Sequence, residues 1–285
     1  MSFSRTVVLV SGFALVASGC TGGTEAVDFD VEEIGAQPLT GDDCGGCGTG
    51  TNGLPSADFH QNEWKLRDVL GESVVETDEH GDIFAVTNGL LDTEAGVNVF
   101  KYALRCGVDE DQVVVKDLTG GGMLSTTGAW VTVGLGDPAR SDVYTCMLGH
   151  LNPSGTEVPI MMKGAAITPG SHSGPLEVPL SAFGFQEAVW ATVIDPLTHR
   201  PFYHVWPQAH LLSHCTNPAL LAVALRSRVC GLGVQDCGLT IHSNPLDFAT
   251  DCSGSDGVYT CLGYRAIETW LVTEDRDEIY GACVQ

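Results

Sequence analysis

The eleven cysteines of this 285-residue chain constrain its fold more than any other feature. An odd number of thiols cannot pair completely within one chain. If Cys20 is set apart, ten cysteines remain, and this even number predicts five disulfides in an oxidising compartment. The candidates for these disulfides are Cys44, Cys47, Cys106, Cys146, Cys215, Cys230, Cys237, Cys252, Cys261 and Cys283.

The first twenty residues explain why Cys20 is set apart. Arg5 precedes an apolar run, residues 6–19, which ends in two small residues directly before Cys20. A membrane-spanning helix needs about 20 apolar residues, so this shorter run predicts a secretory signal and no lasting membrane span. The order resembles the lipobox of the bacterial lipoprotein pathway, with Ala17 at a position where leucine is commoner. It predicts cleavage before Cys20 and lipidation of the Cys20 thiol; cleavage by an ordinary signal peptidase is the alternative.

Acyl chains on Cys20, palmitate among them, would make the membrane a partner through lipid alone. Two chains already suffice for stable anchoring, so no apolar protein surface is required. Thr21 follows the cysteine where inner-membrane lipoproteins of enterobacteria carry aspartate. That resemblance favours an outer-membrane lipoprotein, facing either the periplasm or the cell surface.

The charge of the chain excludes one class of partner. Because residues 1–19 carry only Arg5, the chain from Cys20 onward has a net charge of −24, against −23 for the full sequence. Such a surface repels nucleic acid, so no nucleic-acid partner is predicted. A cation or a basic protein partner stays open, and solubility alone also accounts for an acidic surface.

The sequence predicts a β-rich α+β fold stapled by disulfides. Its expected parts are a signal segment (1–19), an acidic and glycine-rich tether (20–53), an α+β part with about three helices and short strands (54–167), and a cysteine-rich part that is mainly β (168–285). The last two parts can also form one domain, since a break rich in proline, glycine and serine at 168–175 is all that divides them.

Hydrophobic periodicity predicts individual elements within these parts. Ser56 is the expected N-cap of the first helix, and Asp92 or Thr93 begins the second. Cys106 and Cys146 each lie late on the apolar face of a predicted helix, so we expect them to pair. The predicted helices are 56–70, 92–106 and 141–152, and the predicted strands are 112–116, 129–135, 158–163, 188–194, 201–206, 238–242 and 264–272, with 188–194 and 201–206 forming a hairpin.

Several short segments resemble a group of cysteine-rich myxobacterial outer-membrane lipoproteins that have no assigned activity. The resemblance implies the same address and a disulfide framework, and it transfers no catalytic residue. The segments are Tyr102-Ala103-Leu104-Arg105-Cys106, Cys146-Met147-Leu148-Gly149-His150-Leu151-Asn152, Val158-Pro159-Ile160-Met161-Met162-Lys163-Gly164, Arg228-Val229-Cys230, Cys237-Gly238-Leu239 and Asn52-Gly53-Leu54.

No catalytic motif is found. The segment 170–174 has the outer glycines of a nucleophile elbow, but His172 stands where that motif needs serine. The pair Cys44 and Cys47 has CxxC spacing within the glycine-rich tether and lacks the strand-to-helix context of redox pairs. A structural disulfide is therefore the expected role of these two cysteines.

Four histidines, His199, His204, His210 and His214, lie within sixteen residues. His210 and His214 are spaced four apart, so on a helix their imidazoles would share a face and could chelate a transition metal. The alternative is that both are ordinary, partly exposed side chains, because no carboxylate or third ligand accompanies the pair.

Together these features predict an exported, lipid-anchored surface or periplasmic protein with a binding or structural role and no cofactor. One alternative is an exported hydrolase whose site is built from dispersed residues. Another is a metal-binding protein that uses the histidines of 199–214. A cleft with converging histidine and carboxylate side chains would favour the enzyme.

Overall fold

The computed structural model describes residues 46–74, 85, 88–110, 113–115, 118–125, 130, 133–173, 178–232 and 237–284. The predicted signal segment 1–19, the lipid acceptor Cys20 and the disulfide candidate Cys44 lie outside these residues. All described residues belong to one compact unit. Among the helices that they form, none is both long enough and apolar enough to cross a membrane.

The fold is α+β with prominent strands, as the sequence predicts. Nine strands of the described region join in one sheet, whose central path runs β10–β9–β8–β13–β6–β1–β7, with the β11–β12 hairpin attached to β13. The strands are β1 (Cys47–Thr51), β2 (Leu54–Pro55), β3 (Val113–Val115), β4 (Leu118–Thr119), β5 (Leu151–Asn152), β6 (Pro159–Lys163), β7 (His172–Ser173), β8 (Phe185–Ile194), β9 (Pro201–Pro207), β10 (Leu239–Ile241), β11 (Cys252–Ser255), β12 (Val258–Cys261) and β13 (Tyr264–Leu271).

Helices cover the sheet. Among the helices whose bounds lie in the described residues, three precede β8 and four follow β9. They are α1 (Ser56–Leu70), α2 (Glu94–Gly107), α3 (Asp137–His150), α4 (Ala209–His214), α5 (Pro218–Cys230), α6 (Pro245–Asp251) and α7 (Arg276–Tyr280), with short 3-10 helices at Leu90–Asp92, Leu180–Ala182 and Gly281–Val284.

Both faces of the sheet are buried. Successive residues of a strand point to opposite faces, so neighbouring residues belong to different clusters. On the first face, Trp190 and Tyr203 belong to the main core, which they share with α1, α2 and α3. On the second face, Val189 and Trp206 form a smaller cluster with Phe248 of α6. The second face therefore has its own thin cover, made by α6 and the β11–β12 hairpin.

The second helix matches its sequence signals. The Thr93 hydroxyl accepts a hydrogen bond from the Gly96 N–H at 3.1 Å, which caps α2 as expected. The predicted apolar stripe Val99, Ala103 and Cys106 is buried. This prediction is confirmed.

The first helix has the predicted bounds, but the predicted cap is wrong. Pro55 occupies the N-cap position of α1. The Ser56 hydroxyl instead donates a hydrogen bond of 2.5 Å to the carbonyl oxygen of Arg228 in α5. Ser56 is completely buried. Its hydroxyl links α1 to α5 and does not cap the start of α1.

The β8–β9 hairpin is also confirmed. Its two strands pair antiparallel from Ala188↔Pro207 to Ile194↔Pro201. One oxygen of Asp195 accepts hydrogen bonds from the N–H groups of Leu197 and Thr198 at 2.9 and 2.7 Å. This side-chain cap closes the turn between the strands.

The folded body begins earlier than the predicted tether allows. Cys47–Thr51, placed in the tether by its composition, forms β1 between β6 and β7. Its glycines permit close packing: a Cβ added to Gly48 would collide with the Ser171 hydroxyl. At this position glycine is needed because neighbouring atoms leave no room for a side chain. The interpretation of Cys47–Thr51 as part of a tether is therefore wrong.

Three other expectations differ from the structure. The C-terminal part holds the 13-residue helix α5 among its strands, which the sequence analysis did not predict. Of the predicted strand 129–135, the described residues Trp130 and 133–135 are not in a strand. The third helix begins at Asp137, four residues before the expected start, because Pro138 occupies its first turn.

The main sheet crosses the predicted boundary at residue 168. Strand β6, which precedes it, pairs with β13, which follows it, through Trp270↔Met161 and its neighbours. The break at 168–175 therefore lies within a sheet-forming region of one body.

Disulfides join elements that are distant in the chain. The Cys106–Cys146 bond links α2 to α3, as the sequence predicts. Cys47 is also disulfide-bonded. The other bonds are Cys215–Cys283, Cys230–Cys237 and Cys252–Cys261.

Candidate functional site

A group of polar and aromatic side chains lies at the β10 end of the sheet. Alternation along β9 places His204 and Trp206 on the same face. Strand β10 pairs parallel with β9, so that Thr240 lies opposite His204. The His242 N–H extends this ladder by donating to the Val205 carbonyl oxygen at 2.9 Å, which brings His242 beside Trp206.

Asp251, the last residue of α6, completes the group. Asn244 caps the start of α6 by accepting from the Leu246 N–H at 3.1 Å. At the other end, the Asp251 carbonyl oxygen accepts from the Leu262 N–H at 2.9 Å, and the adjoining Cys252 is bonded to Cys261. The carboxylate is thus held by a capped helix and a disulfide.

The side chains form one chain of hydrogen bonds. His204 Nδ1 lies 3.0 Å from His242 Nε2, and His242 Nδ1 lies 3.2 Å from Asp251 Oδ2. The Trp206 Nε1–H donates to the same carboxylate oxygen at 3.3 Å. The Trp206 and His242 rings stack with centroids 4.5 Å apart and an angle of 14° between their planes.

The carboxylate fixes the protons of both imidazoles. Asp251 only accepts when ionised, so His242 Nδ1 carries the proton and His242 Nε2 is left as an acceptor. His204 Nδ1 must then donate to it, which leaves a lone pair on His204 Nε2. That nitrogen has no hydrogen-bond partner among the described residues and is not one of their completely buried polar atoms.

Burial holds the pKa of His204 well below its usual value of 6.5, at about 4. Loss of hydration is the larger cause, and the neighbouring His242 adds to it, whereas Asp251 acts in the opposite direction. His204 is therefore neutral at pH 7. A neutral imidazole with an open lone pair can accept a proton or ligate a metal ion.

The group resembles part of a catalytic triad, in which a carboxylate orients a histidine. In a triad the histidine contacts a nucleophile. Here the described residue next in the chain of hydrogen bonds is a second histidine, and no described serine, threonine or cysteine contacts His204 Nε2. The arrangement can bind or transfer a proton without forming a covalent intermediate on a side chain of the described region.

The predicted pair His210 and His214 lies elsewhere, on α4. His210 Nδ1 accepts from the Gln186 N–H at 3.0 Å, and His214 Nε2 lies 3.4 Å from Asp277 Oδ1. Both imidazoles contact the Phe185 ring. His210 thus has one hydrogen-bonded nitrogen, whereas His214 Nε2 is buried near Asp277 without a hydrogen-bond partner among the described residues.

The other sequence candidates also have structural partners. His199 Nδ1 lies 2.8 Å from Asp137 Oδ1 at the surface. His172 Nδ1 lies 2.8 Å from the Thr49 hydroxyl, in the contact of β7 with β1. Where three possible metal ligands lie within 4.8 Å in the described region, two of them are sulfurs of one disulfide, Cys230–Cys237 or Cys106–Cys146.

Sequence reasoning found His204 but missed His242 and Asp251. His204 and His242 are 38 residues apart, and only the parallel pairing of β10 with β9 brings them together. The available signal was the placement of His204 and Trp206 at alternate positions of a predicted strand. No protein-family model, curated protein or solved structure matches this chain.

Proposed function

We propose that this protein is an exported, lipid-anchored protein of the cell envelope with a binding role. The observation that carries the proposal is the state of its cysteines: all nine in the described region are in disulfides. Structural disulfides of this number persist in oxidising compartments and are rare in the cytosol. They support export, and the pairing of Cys44 with Cys47 that the sequence predicts would leave Cys20 as the thiol available for lipid.

A binding role is supported by the site at the end of the sheet. Its ring nitrogens and carboxylate are held by paired strands, a capped helix and a disulfide, which is the rigid placement that a specific site needs. His204 Nε2 has no hydrogen-bond partner among the described residues and is not completely buried. The acidic surface favours a cationic ligand over an anionic one.

Lipid labelling tests the anchoring. The wild-type protein and the variants Cys20→Ala and Cys44→Ala are expressed in a bacterium with a lipoprotein pathway and fed an alkyne-tagged palmitate. We expect label and membrane fractionation for the wild type and for Cys44→Ala, and neither for Cys20→Ala. Label that persists in Cys20→Ala, or an unlabelled wild type in the soluble fraction, contradicts the proposal.

The chain of hydrogen bonds supports a second candidate, an exported hydrolase in which His204 Nε2 activates water as a general base. A panel of ester, phosphoester, glycoside and peptide substrates tests it. Turnover by the wild type that falls at least tenfold in His204→Gln and is unchanged in His199→Gln supports an enzyme. Turnover that is equal in both variants assigns any hydrolysis to another site or a contaminant.

A further inference from the structure

We propose that His204 and His242 together bind one divalent transition-metal ion, with Asp251 holding His242 in position from the outside. The inference rests on the proposed binding role and names the class of ligand. It differs from the predicted pair His210 and His214, which lie on α4 and contact neither His204 nor His242 in the described structure.

The distance between the two nitrogens fits a shared ion. Metal–nitrogen bonds of about 2.0–2.1 Å place two nitrogens on one ion about 2.9 Å apart at a right angle and about 3.3 Å apart at a tetrahedral angle. His204 Nδ1 and His242 Nε2 are separated by 3.0 Å. In the metal-free site the two nitrogens face each other, so each ring must turn by roughly 40° before both lone pairs meet at one ion that replaces the shared proton.

The surroundings of His242 are those of a metal ligand. Histidines that bind metal usually donate their other ring N–H to a carboxylate, which fixes the tautomer and the ring orientation. His242 Nδ1 lies 3.2 Å from Asp251 Oδ2 in this role. The Trp206 ring, stacked on His242 and bonded to the same oxygen, restrains both partners.

The protons also balance. In the metal-free site His204 carries its proton on Nδ1 and His242 carries its proton on Nδ1. When an ion takes His204 Nδ1 and His242 Nε2, the His204 proton moves to Nε2, which is not completely buried. The number of protons on the two rings is unchanged, so an ion need not displace one into a buried position.

Two imidazoles suit borderline metals better than hard ones. The expected order of affinity is Cu²⁺ above Zn²⁺ and Ni²⁺, with Mn²⁺ weak and with Ca²⁺ and Mg²⁺ not bound at this site. Water or a ligand group of a partner would complete the coordination. The net charge of −24 beyond residue 19 favours the approach of any of these cations.

Titration of the purified, oxidised protein with Cu²⁺ and Zn²⁺ tests the proposal, read by calorimetry and by tryptophan fluorescence. We expect one ion per chain, with quenching of Trp206 by Cu²⁺. His204→Gln and His242→Gln should each lower the affinity at least tenfold. Asp251→Asn should lower it about 10- to 100-fold through the loss of the outer carboxylate.

Matched controls separate this site from other histidines. His199→Gln and the double variant His210→Gln/His214→Gln should leave affinity and stoichiometry unchanged. No binding by the wild type, or binding lost only in the His210/His214 variant, overturns the proposal. Electron paramagnetic resonance of the wild type with one Cu²⁺ should show two nitrogen donors, so the assignment does not depend on the folding of any variant; a spectrum with no nitrogen donor also overturns it.

The titration is independent of the lipid-labelling experiment. A protein that binds one ion through two nitrogens but lacks lipid refutes the anchoring and keeps the metal site. A lipidated protein that binds no ion refutes the metal site and keeps the anchoring.

Discussion

His150 Nδ1 lies 2.7 Å from the Thr51 carbonyl oxygen, and both residues are completely buried. The pair links the end of α3 to β1. Burial lowers the pKa of His150 from 6.5 to about 3, because loss of hydration outweighs the hydrogen bond to Thr51. The ring is therefore neutral and donates its Nδ1–H to Thr51.

The first prediction concerns acid stability. The folded pKa of His150 is below the unfolded value, so the unfolded chain binds more protons between about pH 6.5 and pH 3. The contribution of neutral His150 to the free energy of unfolding is complete above pH 6.5 and falls as the pH decreases through that window. The expected fall is on the order of 3 kcal/mol between pH 7 and pH 4.5. Denaturant titrations at the two pH values measure this loss.

Two variants isolate the contribution of His150. His150→Asn keeps an N–H donor for Thr51 and removes the titrating ring, so it should show a smaller loss between pH 7 and pH 4.5 than the wild type. His199→Asn, at the surface, should lose as much as the wild type. Equal losses in all three proteins would contradict the assignment.

The second prediction concerns the ion pair of Arg228 and Glu187, both completely buried. Arg228 also donates to the Leu148, Gly149 and Leu151 carbonyl oxygens at 2.8–3.2 Å, at the end of α3. Arg228→Met leaves a buried carboxylate without its cation and should lower the free energy of unfolding by about 3–5 kcal/mol.

A surface pair provides the control for Arg228. Arg67 lies 3.4 Å from Asp68, and both side chains are partly exposed. Arg67→Met should change stability by less than about 1 kcal/mol. A similar cost for the two arginine variants would mean that the buried network does not stabilise the fold.

The third prediction ranks two disulfides. Cys106–Cys146 spans 40 residues, whereas Cys230–Cys237 spans 7. Loop-closure entropy predicts that the disulfide closing the longer loop raises the free energy of unfolding by about 4 kcal/mol, and the one closing the shorter loop by about 2–3 kcal/mol. Urea unfolding of the two double-alanine variants should give this order, and the reverse order would contradict it.

The fourth prediction tests β1 as part of the folded body. A Cβ on Gly48 would collide with Ser171 and lie 3.1–3.2 Å from Met123 and Ile167, so Gly48→Ala should cost about 1–3 kcal/mol. Gly281 has φ −58° and open space around it, so Gly281→Ala should be nearly neutral. If Gly48→Ala leaves the stability unchanged, β1 is not packed as part of the folded body.

Local signals predicted the elements whose sequence and burial agree. Helix α2 has a capping threonine and a single apolar stripe, and the β8–β9 hairpin has alternating residues around an aspartate turn. Strand β1 was missed because its glycines, which permit close packing, have the composition of a flexible segment.

Helix α5 was missed although Asn217 caps it and Pro218 opens it. Its polar residue Arg228 points into the core to meet Glu187, which breaks the usual division into a polar and an apolar face. The candidate site could not be predicted from the sequence, because the position of His242 depends on which strands pair. No local sequence pattern determines that pairing.

The intact mass of the protein extracted from native membranes, with alkylation of thiols before and after reduction, tests the central claim most directly. The account predicts loss of residues 1–19, a lipid mass on Cys20, and ten cysteines that react only after reduction. A protein that retains Met1, carries Cys20 in a disulfide, or alkylates without reduction at any of the other ten cysteines would contradict it.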